Sequence, residues 1–225
     1  FAVDYFQFDN ESDNLQFVSE GGLVGELNVA IPGSTEFSTL VADDAGESIS
    51  AFHHLELHQT SIFAFKAIKF KRALVNGRFG LQIVSLEQQL RSRLLNSGGV
   101  IEGELIHEYN FNGFGPRFGI DYIRRVGHTP AQLVVSSTST LLFGDQDQII
   151  RNSLAGDFQQ LGSDEFVTLI DIFMGIQTKK FRGEKRNTTM RVGFVNQSWI
   201  GGGTSIDPDG DFGFQGVSFM LGLNR

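Results

Sequence analysis

The densest group of residues able to do acid–base or metal chemistry is His53, His54, Glu56 and His58. Imidazole and carboxylate side chains serve both as metal ligands and as general bases. In an extended segment His54, Glu56 and His58 share one face, because strand side chains alternate with period two. The simpler reading is a hydrogen-bonded cluster in a lumen or on a rim. Ser61 or Ser137 could be combined with His58 and Glu56 into a Ser-His-acid set, but such a set is defined by geometry, and no local spacing marks either serine as a nucleophile. Asp207, Asp209 and Asp211 alternate around Pro208 and Gly210 and offer calcium-type oxygen ligands. They lack the distal Glu and flanking helices of a calcium loop, so a solvated turn is the simpler reading. Asp43, Asp44 and Glu47 form a sparser acidic group, and the Gly201-Gly202-Gly203 triplet has no helix after it to receive an anion. No catalytic residue and no cofactor is expected.

The elements that carry these residues read as strands. In residues 72–86 the odd positions are Ala73, Val75, Gly77, Phe79, Leu81 and Ile83; the even ones are Arg72, Leu74, Asn76, Arg78, Gly80 and Gln82. A one-residue slip would exchange the two faces, so the register is strongly specified. The same alternation sets Phe118 and Ile120 against Arg117 and Asp121, Ile172 against Glu165 and Asp171, Val192 and Phe194 against Arg191 and Gln197, and Phe219 against Ser218. With weaker segments near 2–9, 54–65 and 131–143, about eight strands result. The gaps between them alternate long and short: 10–53, 89–107, 146–163 and 201–210 against 67–71, 126–130 and 180–186. That parity is expected of an up-and-down barrel whose two rims face different compartments. Pro116 lies mid-strand, where a bulge beside Gly113 and Gly115 is the expected accommodation.

Composition narrows the class. The 225 residues suit a single all-β domain over 1–225, with 10–53 as a long first loop. Phe supplies 22 of the aromatics, Gly numbers 27 and Pro only 4, which suits long bent strands rather than Pro-rich linkers. No run approaches the ~18 apolar residues of a membrane helix. A net charge of −8 disfavours nucleic acid, and the absence of Cys removes disulfide, thiolate and Cys–zinc chemistry together. The start at Phe1 is read as a processed or truncated chain.

Alternation alone fits two barrels: a soluble lipocalin-like barrel with its apolar face inside, and a membrane barrel with that face toward lipid. Three features favour the membrane. The polar face is rich in Gly, Ser, Thr and Gln, as a narrow interior requires. It mixes Arg72, Arg78, Arg117 and Arg191 with Glu56, Asp121, Glu165 and Asp171, suiting buried pairs, while Lys66, Lys69, Lys71, Lys179, Lys180 and Lys185 crowd the short turns. And the long gaps fall on one rim. The expected architecture is thus a closed antiparallel up-and-down transmembrane β-barrel in a Gram-negative-type outer membrane. Phe79, Leu81, Phe118, Ile120, Ile172, Val192, Phe194 and Phe219 would face lipid. Glu56, Arg72, Arg78, Gln82, Arg117, Asp121, Glu165, Asp171, Arg191 and Gln197 would line the lumen.

Four stretches carry a family resemblance. Asn112-Gly113-Phe114-Gly115-Pro116-Arg117-Phe118-Gly119, Leu141-Leu142-Phe143-Gly144, Asn196-Gln197-Ser198-Trp199 and Asp209-Gly210-Asp211-Phe212-Gly213-Phe214 occur in order across roughly 50–225. Together they resemble the Legionella-type pore-forming outer-membrane protein family. The resemblance implies an outer-membrane barrel that forms a pore, and it brings no catalytic residues. The expected function is porin-like passive passage of small solutes or ions through a narrow charged lumen, largely filled by side chains. The expected partners are membrane lipid, lipopolysaccharide, small solutes or ions, and a second copy or another surface protein. The alternatives are a structural or adhesive surface barrel with binding loops, a soluble ligand-binding barrel, and a lipid-modifying enzyme using the His54–His58 region.

Overall fold

The computed structural model describes residues 2–12, 15–20, 25–30, 37–127, 129–181, 187–201 and 211–224. The described elements are all strands: β1 (Ala2–Glu11), β2 (Leu15–Val18), β3 (Gly25–Ala30), β4 (Phe37–Ala42), β5 (Ser48–Lys69), β6 (Ala73–Leu95), β7 (Ile101–Arg125), β8 (Ala131–Asn152), β9 (Asp157–Phe181), β10 (Asn187–Ile200) and β11 (Phe212–Asn224). One path runs β1-β5-β6-β7-β8-β9-β10-β11, with β2 added on β5, and β3–β4 form a separate hairpin. Neighbours are antiparallel throughout. The sheet curls into an open half-barrel. Its terminal strands do not pair with each other, but they face each other through side chains: the rings of Phe8 on β1 and Phe214 on β11 lie 5.1 Å apart.

The eight strands of this path are the eight segments that alternation marks in the sequence. Their lengths are not. β5 to β9 run 22 to 25 residues, against the ~9–11 that a tilted strand needs to cross a bilayer. The expected long gaps 89–107 and 146–163 are corrected here, because strand continues through most of both: only 96–100 and 153–156 turn the chain. At the first of these, Asn96 Oδ1 accepts from the backbone N–H of Gly98 and Val100, both at 3.0 Å, and Gly99 takes a φ of +77°. The expected long first loop, 10–53, holds β2, the β3–β4 hairpin and the start of β5. Residues 182–186 and 202–210, from two further expected connections, lie outside the described residues.

The strands outlast their expected bounds because their polarity reverses partway along. On the lower part of β6, Phe79, Leu81 and Ile83 are exposed on the convex face while Gln82 is buried on the concave one. Further up the same strand Val84, Leu86, Leu90 and Leu94 are buried on the concave face, and Ser85 and Glu87 stand on the convex one. β7 behaves alike: Phe114, Phe118, Ile120 and Tyr122 are exposed below, whereas Leu105, Tyr109 and Phe111 are buried above. The change falls at one height across the sheet. Ile83, Phe114, Phe143 and Phe166 are successive cross-strand partners, and so are Ser85, Asn112, Asp145 and Asp164 one step higher. Both rows lie on the convex face, the lower apolar and the upper polar.

Concave glycines let the sheet curve and admit large rings. Gly175 and Gly193 are cross-strand partners, and a Cβ on either would stand 2.7 Å from the ring of Phe173 and under 2.5 Å from a neighbouring carbonyl. Phe173 therefore covers two bare backbones, and the Arg191 guanidinium lies over its ring, 5.3 Å from the ring centre. Replacing Gly193 by Val is expected to cost about 1–3 kcal/mol through overpacking, read as a lower midpoint in urea unfolding from vesicles.

Candidate functional site

The concave face of the lower half carries a continuous polar network. Arg117 on β7 donates to Ser61 Oγ on β5, to Thr138 Oγ1 at 3.2 Å and to Asp171 Oδ2 on β9 at 3.2 Å. Thr138 donates to the same carboxylate oxygen at 2.8 Å, and Gln197 Nε2 on β10 donates to the other. Gln59 Nε2 donates to Gln197 Oε1 and Gln82 Nε2 to Gln59 Oε1, each at 3.1 Å, while Thr140 Oγ1 donates to Gln82 Oε1. Six strands, β5 to β10, are thus joined across the interior. Arg78 and Asp121 form a second ion pair at 2.6 Å, and Arg191 donates to Gln177 Oε1 at 3.2 Å, which links on to Gln132. Both arginine–carboxylate pairs keep under a fifth of each side chain exposed. Charges withdrawn from water this far are tolerable only when paired and hydrogen-bonded.

Arg78, Gln82, Arg117, Asp121, Asp171, Arg191 and Gln197 stand together on this face. Glu165 lies on it too by strand parity, higher up, where it accepts from Ser163 Oγ at 2.9 Å. Two expected lumen residues are corrected. Arg72 is exposed in the turn between β5 and β6, beyond the pleat that would aim it inward. Glu56 is on the convex face of β5, the side of exposed Thr60 and Ile62, because at its height the apolar Leu55 and Leu57 take the inward positions. Phe79, Leu81, Phe118, Ile120, Ile172, Val192, Phe194 and Phe219 are exposed on the convex face.

Sequence reasoning missed Gln59, Thr138 and Thr140 as network members, and noted Ser61 only as a conceivable nucleophile. The signal for Thr138 and Thr140 was present: with Ser136 they form a run of small hydroxyls on the even positions of β8. Ser61 is 2% exposed on the concave face, opposite to His58 and Glu56, and Ser137 lies three strands away on β8. Neither serine is brought to a His–acid pair. His58 instead sits between Glu56 (Nε2–Oε1 2.7 Å) and the Tyr5 hydroxyl (3.0 Å from Nδ1) on the convex surface. His54 Nδ1 lies 3.8 Å from both Asp9 and Glu11. Of the acidic turn, Asp211 accepts from Gly201 N–H at 2.9 Å, and Asp207 and Asp209 lie outside the described residues. Glu47 turns one carboxylate oxygen onto the backbone N–H groups of Asp43 and Asp44, at 3.0 and 3.1 Å.

Directly above the polar network the interior becomes apolar. Leu55, Leu57, Val84, Leu86, Tyr109, Phe111, Leu142, Val167, Leu169 and Trp199 form one buried cluster, flanked by Phe8, Phe212 and Phe214. Every strand of the eight-membered path contributes at least one of these side chains. Trp199 Nε1 donates to Gln197 Oε1 at 3.1 Å, tying this layer to the network below. Higher still, Val29, Leu40 and Ala42 of the β3–β4 hairpin pack on Ile49, Leu90, Leu94, Leu105 and Ile150. Asn152 Nδ2 anchors the hairpin, donating to Ser38 Oγ at 2.9 Å and Thr39 O at 3.2 Å.

A curled antiparallel sheet with an exposed apolar belt, a buried ionic interior and basic turns is the architecture of an outer-membrane barrel protein. Comparison with known families agrees: the model of the Legionella pneumophila major outer membrane protein precursor matches residues 2–222. The chain belongs to this family, and its place is the outer membrane of a Gram-negative bacterium, in contact with lipid and lipopolysaccharide. The family is one of outer-membrane proteins, not of enzymes. Neither a curated protein nor a solved structure matches the chain.

Proposed function

We propose that the chain forms a single barrel, closed along β1 and β11, that spans the outer membrane with the lower parts of its strands and gives small solutes or ions a narrow passive passage. The observation that carries this reading is the polarity reversal on the convex face. Between the row Ile83–Phe114–Phe143–Phe166 and the row Ser85–Asn112–Asp145–Asp164 the preferred surroundings change from hydrocarbon to water within two residues. Lipid tolerates no unpaired edge, and the contact of Phe8 with Phe214 supports closure at the seam. Above the belt the strands continue into water as an extramembrane wall, and the basic turns containing Lys69, Lys71, Arg72, Arg124 and Arg125 face the periplasm. The interior mixes both signs, with Arg78–Asp121 and Arg117–Asp171 as ion pairs and Arg191 and Glu165 held by Gln177 and Ser163, so selectivity between small cations and anions is expected to be weak. Planar-bilayer recordings should give small discrete steps above detergent controls. Silence under conditions where the protein is folded would remove the passage and leave the barrel.

A second reading has one observation behind it. The upper interior is filled by the apolar cluster and the hairpin, which suits a structural surface barrel presenting its extramembrane wall to a partner. Bilayer silence would favour it.

A further inference from the structure

Resting on the passage proposed above, we propose that the apolar layer crossing the interior is its gate: a hydrophobic septum that closes the passage to water and ions just above the membrane belt. The layer lies directly over the network of Gln59, Gln82, Asp171 and Gln197, so a solute that has entered the polar half meets Leu57, Leu86, Leu142, Leu169 and Trp199, all 1% exposed or less. Water is expelled from a narrow apolar constriction because the lining offers it no hydrogen bonds, and ions cannot cross where water does not stand. Polar groups resume immediately above. Gln148 is 2% exposed, points to the concave face, and neither end of its amide has a hydrogen-bond partner among the described residues. The septum is thus an apolar layer between the polar network below and a row of buried polar side chains above (Gln88, His107, Gln146, Gln148), over which the β3–β4 hairpin packs with the second apolar cluster.

Two further features suit a gate. All eight strands of the path supply the layer, so a small change in curvature at the β1–β11 seam, where Phe8, Phe212 and Phe214 pack against the layer, would loosen the whole ring at once. Trp199 Nε1 donates to Gln197, which couples the septum to the network below, and the Tyr109 hydroxyl donates to Gln146 at 3.4 Å.

The test alters the wettability of the layer while conserving its volume. Val84 and Val167, 1% and 0% exposed, are replaced by Thr singly and together, and single-channel steps are recorded in planar bilayers beside wild type. Val192→Thr, on the convex face, serves as control, and heat-modifiable migration in a gel reports folding. The septum predicts a several-fold rise in open time for Val84→Thr and a larger one for the double variant, no change for Val192→Thr, and shorter openings for Val84→Ile. Folded Thr variants that open no more than a conducting wild type overturn the gate and leave the passage standing. If wild type and every folded Thr variant are silent, the passage itself is refuted and the gate with it. Should the double variant not fold, Val84→Thr and Val84→Ile decide the matter between them.

Discussion

Protein carrying Phe118→Arg is expected to lose about 2–4 kcal/mol of folding stability in vesicles, the cost of an arginine on the lipid face near the bilayer midplane. Phe118 sits at the middle of the exposed run Phe114–Tyr122 on β7, pairs across the ladder with Phe79, and holds its ring 5.2 Å from that neighbour. Arginine in place of Phe118 loses the ring pair and sets a cation into hydrocarbon. The contrast is internal to one face. Glu87 also lies on the convex side, four residues beyond Ile83 on β6, but above the polarity reversal. Glu87→Arg should stay within about 0.5 kcal/mol, as surface substitutions in water usually do. It also sits opposite Glu56, a like-charge pair that the substitution relieves. Urea titration of tryptophan emission from Trp199 measures both variants; equal costs would contradict the lipid assignment.

The second large effect is expected at Asp171. Its two oxygens receive Arg117, Thr138 and Gln197, and its side chain is 17% exposed against 16% for Arg117. Asp171→Ala leaves that guanidinium enclosed without its counter-charge, at about 3–5 kcal/mol. Thr138 and Gln197 each lose an acceptor as well. The double variant Asp171→Ala/Arg117→Met removes both charges and should recover most of the loss, because a buried ion pair is itself close to neutral against apolar packing of similar volume. A double-mutant cycle on urea midpoints measures the coupling. Additive losses would mean that the two side chains do not pair in the folded protein.

How much of this was legible in the chain depends on where the surroundings stay constant. Through the belt, one face is apolar and exposed and the other polar and buried, so alternation at 75–83, 114–122 and 166–176 marks the strands and their faces. Above the belt the two faces exchange polarity. Leu55 and Leu57 then point inward while Glu56 and His58 point out, and a reading that carries one face through the whole strand sends Glu56 to the lumen. The same reversal hides the upper ends of β6, β7, β8 and β9, which pass for long loops. The short β3–β4 hairpin lacks any local signature, since its burial comes from Leu90, Leu105 and Ile150, distant in sequence. The network is half legible: Arg117, Asp171 and Gln197 declare themselves as charges and amides on a polar face. That Arg117 meets Asp171 while Arg78 meets Asp121 follows from register across four strands, which a list of residues does not contain.

The most direct measurement is spin-label accessibility along β6 in the folded, membrane-inserted protein. The chain holds no cysteine, so a single Cys can be placed in turn at Phe79, Leu81, Ile83, Ser85 and Glu87, and at Gln82 and Leu86. Labels at the first three should collide with oxygen dissolved in lipid, labels at Ser85 and Glu87 with a water-soluble nickel reagent, and labels at Gln82 and Leu86 with neither. Nickel access at Phe79, Leu81 and Ile83 would contradict a lipid-facing belt and return those side chains to water.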